Sequence, residues 1–146
     1  MKTFNLLFIL ICLSAYAGEL PNPAITKGSA RVVSVKELCT TSTSLVRNVP
    51  ESLKKDIYHN YGLNGNDRSS CKEGYEIDHL ISLELGGDNS ANNLWAESYC
   101  GNNNAHDKDK LENELHRQIC DNRITLEDAQ ECIRTNWIIC FNKTFK

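Results

Sequence analysis

The cysteines constrain this chain more than any other feature. Cys39, Cys71, Cys100, Cys120, Cys132 and Cys140 are separated by long, irregular intervals, and no Cys-x-x-Cys pair occurs. The seventh, Cys12, sits in an N-terminal stretch where Lys2 precedes an apolar run from Phe4 through Ala15, with Ala15-Tyr16-Ala17 just before Gly18. A basic start, a short apolar core and small residues at the exit define residues 1–17 as a cleavable secretory signal. The run is too short to stay in a bilayer as a spanning helix. Cys12 leaves with the signal, and an even set of six in an exported chain reads as three disulfides, with fifteen pairings open. A cysteine-bound zinc cluster fits less well, because such sites use short paired spacings.

Residues 18–146 then form a single domain, secreted or periplasmic, with no stable membrane association after cleavage. That length suits one modest core. The chain carries 16 Lys and Arg against 19 Asp and Glu, a net charge of −3, and the signal takes Lys2 with it. This balance argues against a sequence-specific DNA reader, which shows a basic surplus. It argues less against a nuclease, where a metal ion and a few local cations can hold the scissile phosphate.

Hydrophobic spacing gives a mixed α+β chain. Residues 18–28 read as an irregular lead-in, and Arg31–Val35 has strand composition. Pro50–Tyr58 reads as a short helix, with Leu53, Ile57 and Tyr61 on one face and Gly62 ending it. Residues 64–70 form a polar loop. Two helices close the chain. The first runs from Asn104 or Ala105 to Cys120, with Leu111, Leu115 and Ile119 at steps of four. The second starts at Thr125, a cap with Asp128 three residues on, and its apolar face is Leu126, Ala129, Ile133 and Trp137. The short link Asp121–Arg123 makes them an antiparallel pair. Trp95 and Trp137 are core candidates.

One stretch carries chemistry rather than packing. Glu76-Ile77-Asp78-His79-Leu80-Ile81 leads into Gly86-Gly87-Asp88-Asn89 and then Asn92-Asn93-Leu94-Trp95. Hydrolysing a phosphodiester needs a group to neutralise developing charge, a base for the water, and something to fix that base. Asp78 offers a hard oxygen ligand suited to Mg²⁺ or Ca²⁺. His79 titrates near neutrality and can accept the proton. Adjacent strand residues point to opposite faces, so the strand has to end or distort at this pair if both are to reach one phosphate.

In that order the residues resemble the HNH endonucleases, whose ββα-metal motif sets one divalent cation and one histidine base against a phosphodiester. The resemblance covers residues 75–116. More narrowly, the chain is similar to small secreted bacterial HNH-like proteins, through Asp78 to Ile81, Leu83 to Gly87, Asn93 to Trp95 and Lys108-Asp109-Lys110-Leu111-Glu112. It extends to Arg47-Asn48-Val49-Pro50, Tyr61-Gly62 and the Ile124–Gln130 helix start. Ser82 and Ala96 replace prolines usual in that family, changes expected to affect loop rigidity more than chemistry.

The resemblance implies an α+β fold built on a ββα-metal hairpin and helix, with additional helices and disulfide stabilisation. It implies Asp78 as a metal ligand, His79 as general base and Asn93 as the residue that holds the imidazole. The last metal ligand falls at the start of the following helix, on His106 or alternatively Asn104. Lys108, Asp109, Glu112 and His116 on that helix are supporting positions. The expected cofactor is a divalent metal ion, Mg²⁺ first, with Zn²⁺, Mn²⁺ or Ca²⁺ as alternatives. The expected partner is DNA or RNA, cut as a monomer with little sequence preference. The rival expectations are a non-catalytic secreted module that keeps the scaffold and an effector that binds a host protein, which the acidic balance favours.

Overall fold

The computed structural model describes residues 20–65 and 68–146; the expected signal at 1–17 lies outside them. The six cysteines pair as Cys39–Cys120, Cys71–Cys100 and Cys132–Cys140, with Cα separations of 5.8, 5.7 and 5.5 Å. These are ordinary disulfide separations. The first ties the front of the described chain to its third helix, and the third closes a short loop within the last helix.

The fold is mixed α+β, with one two-stranded antiparallel sheet. Helix α1 spans Val35–Thr40, with the Ser34 hydroxyl accepting from the Glu37 amide at its N-cap. The expected strand at Arg31–Val35 is not formed. Only an isolated bridge, Ala30 to Gly87, pairs there, because the Ser34 cap turns the chain into a helix before β-branched composition can act. Helix α2 spans Glu51–Asn60, its start set by Pro50. Strands β1 (Tyr75–His79) and β2 (Leu94–Ser98) pair from Tyr75–Ser98 to His79–Leu94. Helices α3 (Ala105–Cys120) and α4 (Leu126–Phe145) follow and pack on each other, with Thr125 capping α4 as its sequence indicates.

Two apolar clusters hold these elements. The larger joins Leu38 of α1, Ile81 and Leu85 of the loop, Leu111, Leu115 and Ile119 of α3, and Ala129, Ile133 and Trp137 of α4. The smaller packs Ile57 and Tyr61 against Leu94, Trp95 and Ala96 of β2. The helical faces read from spacing are therefore the buried ones, and both tryptophans are core. No described helix is long and apolar enough to cross a membrane.

The loop between the strands is fixed by close backbone packing. A side chain at Gly87 would put its Cβ 1.7 Å from the Ile81 carbonyl oxygen and 2.8 Å from Asn93 Nδ2. The position admits no Cβ, and this is what the double glycine supplies.

Candidate functional site

Strand β1 ends at His79, the termination that the Asp-His pair requires. Asp78 and His79 are both residues of the strand, paired with Trp95 and Leu94, and both line one cleft of about 230 Å³. Glu76, Glu84, Asp109 and Glu112 line it too, with Arg47, Thr43 and Ser82. The Ser82 hydroxyl is buried without a hydrogen-bond partner.

Lys108 anchors the floor. Its side chain is 1% exposed, and its Nζ donates to Asp78 Oδ2 at 2.5 Å, to the His79 carbonyl at 2.8 Å and to Glu112 Oε1, with Glu97 Oε2 at 3.8 Å. One ammonium cannot neutralise three buried carboxylates. Burial pushes Glu97 and Glu112 well above the usual carboxylate range, although Lys108 pulls the other way. Burial acts on Asp78 as well, but Lys108 outweighs it, helped by the backbone N–H and charge of His79, and holds Asp78 low. The set is neutral when Asp78 is the anion, Lys108 the cation, and both glutamates carry protons. Burial would lower Lys108, yet Asp78, Glu112 and Glu97 raise it.

The cleft walls follow the same rule. Glu76, Glu84 and Asp109 are all raised, chiefly by burial; the neighbouring acid that adds most is Asp78 for Glu76 and Asp109, and Asp109 for Glu84. Glu76 also stands directly across the sheet from Glu97. His79 is lowered, chiefly by burial, with Arg47 and Lys108 adding to it against Asp78 and Asn89. Its imidazole is therefore neutral at pH 7 and able to accept a proton.

Asp78, His79, Asp109 and Glu112 thus come together, with Lys108 beneath them. Other expected positions do not join them. Asn93 is fully buried but holds no imidazole. Its Oδ1 accepts from the Ile81 amide at 2.9 Å, and its Nδ2 donates to the carbonyls of Ile81 and Asp88, each at 2.9 Å. It fastens the loop behind the strand end. The contact to His79 comes instead from Asn89, whose Oδ1 is 3.1 Å from Nε2.

Neither expected helix-start ligand lines the cleft. Asn104 is the N-cap of α3, accepting from the His106 amide at 3.0 Å and donating to the Gly101 carbonyl at 3.0 Å, the use a short polar side chain finds there. His106 is exposed against the Tyr99 ring, 5.1 Å between centroids. At 100° per residue it lies about 200° around the helix from Lys108, so the buried face cannot carry both. His116 sits 3.4 Å from the Leu38 carbonyl and 3.6 Å from Cys120 Sγ, beside the Cys39–Cys120 bridge.

The donor chemistry of the cleft decides which cation it could take. Its lining is carboxylate oxygen with one imidazole. Among the described residues, the groups of three whose ligand atoms crowd together are Cys39-His116-Cys120 and Cys71-Glu73-Cys100. Each is a disulfide with one neighbour, and bridged sulfurs offer no thiolate. Zinc, which takes three or four protein ligands, is poorly served. A hard cation held by one or two carboxylates and completed by substrate oxygens is the better match, and Asp78 and Asp109 of the cleft lining are the acids that would hold it.

Sequence reading did not single out Glu97, and it quoted Glu76, Glu84, Arg47 and Asn89 only as parts of longer motifs. No family model, curated protein or solved structure matches the chain.

Proposed function

We propose that the protein is a secreted, metal-dependent nuclease of HNH type that hydrolyses phosphodiester bonds in DNA or RNA with little sequence preference. The observation that carries the reading is the neutral His79 imidazole in one cleft with the Asp78 carboxylate and four further acids. An acidic cleft repels a polyanion on its own, so a divalent cation is what makes it a phosphate site. Bound there, such a cation would neutralise charge developing on the phosphoryl oxygens.

The chain's own groups supply the rest. His79 takes one proton from water. The water oxygen then forms a bond to phosphorus as the ester P–O bond breaks, and the departing oxygen takes a proton from solvent. Arg47, exposed at the rim, faces the phosphate with the one cationic group of the outer cleft wall. Lys108 keeps Asp78 ionised and in place. Digestion of plasmid DNA and of RNA with Mg²⁺, and again with EDTA, tests the reading. Cleavage that EDTA removes supports it, and identical traces in both conditions overturn it.

A second reading has one observation in its favour. Lys108 already occupies Asp78 and Glu112, as an ion-pair network in a non-catalytic binding module would. That module would cut neither substrate with any divalent cation, and its melting temperature would not respond to metal.

A further inference from the structure

The contact between Asn89 and His79 is more constrained than a single hydrogen bond. The Asn89 amide is clamped on both sides by backbone: its Nδ2 donates to the Val46 carbonyl at 2.8 Å, and its Oδ1 accepts from the Asn48 amide at 3.2 Å. Turning the amide over would set an NH₂ against an N–H and an oxygen against a carbonyl, replacing two attractive contacts by two repulsive ones. The oxygen is thus fixed toward His79 Nε2, 3.1 Å away. An acceptor on that nitrogen requires it to carry the hydrogen, which places the neutral ring's lone pair on Nδ1. Among the described residues no hydrogen bond is made to Nδ1, and His79, though only 1% exposed, is one of the residues lining the cleft.

We propose that Asn89 is the positioning residue of His79, clamped by the Val46–Asn48 strap so that the Nε2–H tautomer is held and Nδ1 is left to take the proton. The proposal rests on the hydrolytic reading of the cleft and gives Asn89 the role that motif order assigned to Asn93. It also joins two functions in one segment. Arg47, at the mouth of the cleft, lies between the two residues whose backbone fixes Asn89, so the strap that meets the phosphate also sets the base.

The test is the tautomer itself, read from long-range ¹H–¹⁵N couplings of histidine-labelled protein at a pH where the imidazole is neutral. The His79 signal is assigned by its loss in His79→Gln. The parent is expected to show the Nε2–H form alone. Asn89→Ala should lose that preference and lower kcat about 100-fold, the scale of a misplaced reacting group, with KM little changed. A parent ring protonated on Nδ1, or an Asn89→Ala protein with the parent tautomer and kcat, overturns the proposal. If Asn89→Ala does not fold, the parent spectrum decides alone: the Nε2–H form supports the assignment, and the Nδ1–H form refutes it. The spectrum needs no substrate, so failure of the nuclease reading leaves a distinct signature, the expected tautomer in a protein that cuts nothing.

Discussion

At the scale of single residues, the cleft floor is governed by one ammonium. Lys108 meets Asp78, Glu112, Glu97 and the His79 carbonyl within a region closed to water. Removing one partner from such a group leaves charge buried and unpaired, so Lys108→Met should destabilise the fold by about 3–5 kcal/mol, measured by denaturant unfolding. A loss under about 1 kcal/mol would mean the cage is more open to water than the side-chain burial indicates. Asp88 offers a test in pH. Burial would raise its carboxyl, but the Ser90 hydroxyl and amide and the Ser29 hydroxyl hold it below the usual range. A carboxyl depressed by folding adds stability above its unfolded pKa, and that stability disappears as pH falls through the folded value. Asp88→Ala should therefore melt below the parent at pH 7, and the two curves should converge below about pH 4, the unfolded carboxyl value. Parallel curves down to pH 2 would contradict the assignment.

At the scale of elements, α3 is the organising piece. It contributes Asp109 and Glu112 to the cleft lining, Lys108 to the ion pairs behind it, its apolar face to the larger core, and Cys120 to the bridge that holds α1. That bridge closes a separation of 81 residues, the longest of the three. Replacing both Cys39 and Cys120 by Ala should cost about 2–4 kcal/mol, read as a lower melting temperature under non-reducing conditions; an unchanged melting point would show that α1 is held by packing alone. Much of this element was legible beforehand. Period-four leucines, the Thr125 cap and the ends of α3 follow from helix chemistry that acts within a few residues. The misreadings share one cause: competition between local options that only the fold resolves. Arg31–Val35 has strand composition, but the Ser34 cap starts a helix instead. His106 is the better ligand by chemistry, yet helical phase puts it away from Lys108. Asn93 and Asn89 are both asparagines near His79 in sequence, and only the position of residues 46–48 shows which of them reaches the ring. Glu97 was not singled out, because nothing local in the sequence says that Lys108 will be buried near it.

At the scale of the whole molecule, among the described residues three disulfides and two modest cores support a small two-stranded sheet, and the proposed site lies where β1 ends. The fold places its acidity where a bare polyanion would be repelled, so the net charge of −3 and the proposed activity are compatible only through a cation. The account accordingly turns on His79, the imidazole among the described residues lining the cleft, whose pKa burial depresses. The most direct measurement is cleavage of plasmid DNA and of RNA by the parent and by His79→Ala, in the same Mg²⁺ buffer, with the three disulfides and the melting temperature of each protein checked beforehand. The account predicts cleavage by the parent and a loss of about 100-fold or more in the variant, with the fold intact; a folded His79→Ala protein that cuts as fast as the parent would contradict it.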